Sequence, residues 1–157
     1  MGVILLLGCS PELNWRTEHV GELSTLLPCK PDRATRPILL NGQTVEMEMA
    51  GCEVAGTLFT ISRIDAGDAA KAQALLSPLR RASLESIHAT AVHAMPNSGD
   101  AHSSLDVRAD GSNPGGKAVQ TRLKWLLRGN VIFQVAAYGQ QLQTQVDENL
   151  FGEIRFP

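Results

Sequence analysis

Neither sign of charge dominates this chain of 157 residues: 14 Lys and Arg stand against 16 Asp and Glu, a net charge of −2. Without a basic footprint the sequence argues against a nucleic-acid partner. No run of like charge would draw it to an anionic membrane surface. Past the first few residues, no stretch approaches the roughly 18 apolar residues of a spanning helix. Ser83, Ser103 and Ser104 lack a Gly-x-Ser-x-Gly context, so no nucleophile elbow is encoded. The glycines between Gly111 and Gly116 precede a strand pattern rather than a helix, which argues against a phosphate cradle. Internal repeats and a second domain are missing too. What is present is ordinary for a folded domain: 43% apolar and 19% charged residues, in a length that can bury its own core.

The strongest local signal runs from Gln43 to Asp65. Val45, Met47 and Met49 alternate with Thr44, Glu46 and Glu48, the period of two expected of a strand with one buried face. Thr57 to Ile64 is β-branched and aromatic, and Gly51 and Gly56 between the arms supply residues that tolerate positive φ. Just upstream, Asn41-Gly42 is the strongest hairpin dipeptide and turns Pro37–Leu40 into the same strand. Trp15 to Val20 and Glu22 to Leu27 are two further strand candidates. Pro28 to Pro37, with three prolines and four charges, reads as an extended surface connector.

A helix follows Ala66-Gly67, with Asp68 as N-cap. Ala72, Leu75, Leu76, Leu79, Ser83 and Ile87 fall on one face and Lys71, Arg81 and Glu85 opposite. Pro78 lies off that stripe and predicts a kink or break near Ser77. Thr90 to Met95 and Ser103 to Ala109 are weaker strands, and Asp110 to Gly116 reads as an exposed loop. Val119, Thr121, Leu123 and Trp125 alternate with Gln120, Arg122 and Lys124; Arg128-Gly-Asn130 then turns the chain into the apolar run Val131 to Tyr138, suited to mid-sheet. Thr144 to Asp147 resembles a capping box before a short helix with Leu150 and Phe151 inward. The order predicts an α+β protein: an antiparallel β-sheet with one long and one short helix packed on it.

Three segments carry a family resemblance: Leu26-Leu-Pro-Cys-Lys-Pro31, Cys52 to Ile61 leading into the Ala/Leu helix, and Gly129 to Val135 followed by Glu148 to Phe156. In this order they resemble the PsbP/Mog1-like fold, an α/β/α sandwich found in many bacterial envelope proteins. The resemblance implies that fold and offers no reaction.

Met1 to Cys9 is a short apolar run whose end, Leu6-Leu7-Gly8-Cys9, resembles the lipobox of a bacterial lipoprotein. No Lys or Arg precedes it, and it is short for a signal. On this reading Cys9 is the lipidation site, 1–14 a signal remnant and tether, and 15–157 a single α+β domain. The other reading is a first strand from Val3 to Leu7 with Cys9 buried. With Cys9 lipidated, Cys29 and Cys52 remain as an even pair for a disulfide in an oxidising compartment; the alternative is two buried thiols. Among the histidines, His88, His93 and His102 with Asp100 form the one metal-like cluster. His93, Asp100 and His102 are its candidate ligands, although no zinc-site spacing is present. Trp125, Phe133 and Tyr138 read first as core.

The expected function is therefore non-enzymatic. We expect a lipid-anchored protein of the periplasmic side of the bacterial envelope, acting by contact with an envelope protein and needing no cofactor. The alternative is a small-ligand or metal carrier that uses the cleft between sheet and long helix. A cavity lined by Trp125 or Tyr138, or metal at His93 and His102, would mark the alternative. A hydrolase would need a Ser or Cys nucleophile beside a base, and the sequence suggests none.

Overall fold

A computed structural model describes residues 13–96 and 105–157. Cys9, Asp100 and His102 lie outside the described residues, so the expected lipidation site and two of the three expected metal ligands do too. The chain folds as α+β. β1 (Arg16–Val20) and β2 (Leu23–Leu27) form a two-stranded sheet. Seven further strands build the main sheet: β3 (Asp32–Leu40), β4 (Gln43–Val54), β5 (Thr57–Asp65), β6 (Ala91–Ala94), β7 (Asp106–Ser112), β8 (Ala118–Arg128) and β9 (Val131–Gly139). Their order is β3-β4-β5-β9-β8-β7-β6, antiparallel throughout. The apolar run of β9 takes the central place because a strand there is covered on both faces; all but Tyr138 of its nine residues are buried.

Turn chemistry sets the hairpins. Asn41 and Gly42 both adopt positive φ (50° and 76°), as the tight turn between β3 and β4 requires. The β4–β5 turn lies at Ala55 and Gly56 (φ 51° and 76°). Gly51, expected near that turn, is an interior residue of β4, opposite Thr60. The expected proline connector is also corrected. β3 begins at Asp32 and carries Pro37 within it, which is allowed because β3 is an edge strand and one side of its backbone needs no ladder partner. The expected loop after Asp110 is strand as far as Ser112.

α1 (Ala69–Ser86) lies on one face of the main sheet. Asp68 caps it, accepting from the Lys71 backbone N–H at 2.7 Å. The stripe from Ala72 to Ile87 is buried as its spacing predicts. The helix does not break at Pro78, which sits inside the continuous element. The opposite face carries the β1–β2 hairpin and a short π-helix, Val146–Phe151. Its expected cap is not formed: Gln145 occupies the cap position without a side-chain bond. Asp147 instead pairs with two arginines. The Thr25 hydroxyl donates to the Leu150 carbonyl at 2.6 Å and holds this layer together. Two cores result, one on each face of the main sheet.

Candidate functional site

Strand register decides what meets on the helix-side face. Met49 stands opposite Ser62, Ser62 opposite Gln134, and Gln134 opposite Trp125, a row crossing β4, β5, β9 and β8. Half of this row is tied to α1. The Ser83 hydroxyl and the Trp125 indole N–H both donate to the Gln134 carboxamide oxygen, each at 2.7 Å. Both lone pairs of that oxygen are thereby used, which leaves Gln134 only its amide N–H groups to offer. Ser62 is 2% exposed, and its hydroxyl has no hydrogen-bond partner among the described residues. A buried hydroxyl left unsatisfied costs about 1–3 kcal/mol, so this one is out of the ordinary.

The row runs into a cleft beside the end of α1. The helix touches β3, β9 and β8 and ends beside β7, where the Ile87 carbonyl accepts from the Ser112 backbone N–H at 2.6 Å. Gly111 makes that ending possible, since a Cβ there would lie 2.1 Å from the Ile87 carbonyl oxygen. The β4–β5 corner beyond the helix end is left uncovered. A cleft of about 370 Å³ remains there, floored by Met49, Thr60, Ser62 and Gln134, with Ile87 and Tyr138 among its walls. This is within the usual volume range of small-molecule sites. Among the described residues, none of its lining side chains is charged. Tyr138 is recessed in the wall, and burial pushes its hydroxyl pKa up to about 12.

Next to the cleft, a trough of about 550 Å³ continues over β3 and β4, with Met49, Leu58 and Thr60 lining both. Leu58 is 39% exposed on the shared floor, an uncovered apolar side chain in the middle of the surface.

The sequence-predicted residues fall as follows. Cys29 and Cys52 are joined in a disulfide, which ties the segment after β2 to β4. His93 is exposed on the edge strand β6, opposite Arg108. Among the described residues, no group of three His, Cys, Asp or Glu is placed to hold a metal ion. Trp125 is core, Phe133 is core on the opposite face, and Tyr138 borders the cleft.

Sequence reasoning missed Ser62 and Gln134. A polar residue within an apolar strand is the signal that could have found Gln134. It missed the ion cluster on the other face as well. There Arg122, 8% exposed, pairs with Asp106 at 3.0 Å and Asp147 at 2.7 Å and lies 4.2 Å over the Phe151 ring. Arg108 also pairs with Asp147. Burial works against the Arg122 charge, but the hydrogen bonds and charges of the two carboxylates outweigh it and hold its pKa above the usual value. With each charge paired, the cluster docks the π-helix to the sheet.

Compared with known proteins, the chain matches no family model, no curated protein and no solved structure.

Proposed function

We propose that this chain is a non-enzymatic binding protein that holds a small amphipathic molecule in the cleft between the sheet and the end of α1. One observation carries the reading: the hydroxyl of Ser62, without a hydrogen-bond partner among the described residues, is buried on the floor of a cleft whose described lining is uncharged. A ligand polar group there would satisfy it, and Met49, Leu58 and Ile87 would take the apolar part of the ligand. The Cys29–Cys52 disulfide supports an oxidising compartment, in keeping with the proposed envelope location and lipid anchor at Cys9. The α+β architecture, with α1 on one face of an antiparallel sheet, is compatible with the PsbP/Mog1-like resemblance.

Titration with the neutral apolar dye Nile red tests the binding reading. Saturable binding by the folded protein, weakened by Ser62→Val, is the expected result. A folded protein that leaves the dye in water would overturn it.

A second reading, contact with an envelope protein, is favoured by Leu39, 72% exposed on the edge strand β3. The same strand carries Pro37, Arg33 and Arg36, which resist addition of a further strand. A partner would therefore meet side chains there rather than extend the sheet.

A further inference from the structure

The trough beside the cleft has an asymmetry that narrows the ligand class, resting on the cleft reading above. Its outer end lies at β3, where Ala34, Arg36 and Ile38 alternate onto the helix-side face. Arg36 is exposed and forms no hydrogen bond or ion pair among the described residues. Arg33 also borders the trough, but its guanidinium is engaged with Glu18 at 3.1 Å and the His19 carbonyl at 2.7 Å. One carboxylate, Asp32, shares the face and the trough. It is four residues from Arg36, roughly 13 Å along an extended strand, so it does not neutralise that guanidinium directly.

Between Arg36 and the cleft the floor is mainly apolar, formed by Met47 and Met49, with Thr60 and Leu58 farther along β5. From β3 to β9 there are three inter-strand steps, about 14 Å in all. A cation at the rim, a mainly apolar floor and an uncharged inner cleft form a gradient along one continuous surface. An ionised group would be costly to bury in the inner cleft, which has no charge to pair with it. At the rim the same group meets a guanidinium suited to a carboxylate and stays in contact with water. We infer that the ligand is an elongated anionic amphiphile of the medium-chain hydroxy-fatty-acid class. Its carboxylate sits at Arg36, its chain crosses Met47 and Met49, and its hydroxyl meets Ser62.

Competition against Nile red with decanoate, decanol and decylamine, on the wild-type protein and on Arg36→Gln, tests this. Arg36 is exposed and unpartnered, so the variant should keep its fold, which circular dichroism and the melting temperature verify. The expected result is that decanoate binds about tenfold more tightly than decanol and more tightly still than decylamine. Arg36→Gln should remove that preference and leave decanol unchanged, the size of one charge-assisted contact. The methyl NMR signals of Met47 and Met49 should shift on binding. Equal affinity for decanoate and decanol, or a preference untouched by Arg36→Gln, would overturn the anionic class while Nile red binding stands. Loss of dye binding in the wild-type protein would instead remove the cleft reading beneath it.

Discussion

Ser83 on α1 and Trp125 on β8 share one acceptor, the carboxamide oxygen of Gln134, each at 2.7 Å. A polar side chain in the middle of the central strand thus becomes the point at which helix and sheet are fixed. It also sets one border of the cleft, because Ser62, the next residue in the row, is left without a partner among the described residues.

Gln134→Leu should therefore destabilise the fold although it adds apolar volume. It strands the Ser83 hydroxyl and the Trp125 indole, at about 1–3 kcal/mol for each buried group left unsatisfied. Ser83→Ala should cost less, about 1 kcal/mol, because Trp125 still serves the acceptor. Urea unfolding followed by tryptophan fluorescence measures both. A Gln134→Leu protein as stable as the wild type would refute this account of the helix anchor.

The ion cluster on the opposite face leads to a second expectation. Arg122→Ala takes from Asp106 on β7 and Asp147 on the π-helix the cation they share, and should cost about 3 kcal/mol. Asp147→Asn should cost less, since Asp106 still pairs with Arg122 and Asp147 is itself about a third exposed. Hydrogen exchange should show Arg122→Ala loosening Val146–Phe151 before the main sheet. Uniform loosening would argue against a docking role.

The disulfide closes a loop between residues 23 apart in sequence. In the loop-entropy account its removal by Cys29→Ser with Cys52→Ser should cost about 3 kcal/mol. Thermal melts with and without reductant check this. The reduced wild type and the double variant should melt at similar temperatures, both well below the oxidised protein.

Tyr138 is the chain's one tyrosine, so its ionisation can be followed without interference. Burial raises its folded pKa to about 12, above the value near 10 of an exposed phenol. Folding therefore favours the protonated form. That contribution to stability is fully present below about pH 10 and is lost as pH rises from about 10 toward 12. The phenolate absorbance should appear only near pH 12 in the folded protein and near pH 10 in urea. Tyr138→Phe should abolish this part of the alkaline destabilisation. A normal phenolate titration in the native protein would show that the cleft wall is wetter than its geometry indicates.

Local pattern alone specified most of the framework. The alternation of Val45, Met47 and Met49, the turn at Asn41-Gly42, the Asp68 cap and the stripe from Ala72 to Ile87 are each written within a few adjacent residues, because they depend on φ preference and side-chain period. The apolar run from Val131 to Tyr138 likewise announced a central strand, and Cys29 and Cys52 found each other as an expected pair. The extension of β3 from Asp32 to Arg36, ahead of Pro37, was not legible, since whether a strand can run through a proline depends on its standing at an edge. Nor was the role of Asp147, which reads locally as a cap and is taken instead by Arg122 and Arg108 from two other strands.

The cleft belongs wholly to tertiary structure. Met49, Ser62, Gln134 and Trp125 are spread over four strands and become a row only through register. Gly111 lets α1 end where it does, beside the cleft. Sequence determined the elements through neighbouring residues; the fold alone decided which side chains would share a surface, because pairing across strands joins residues that no local period connects.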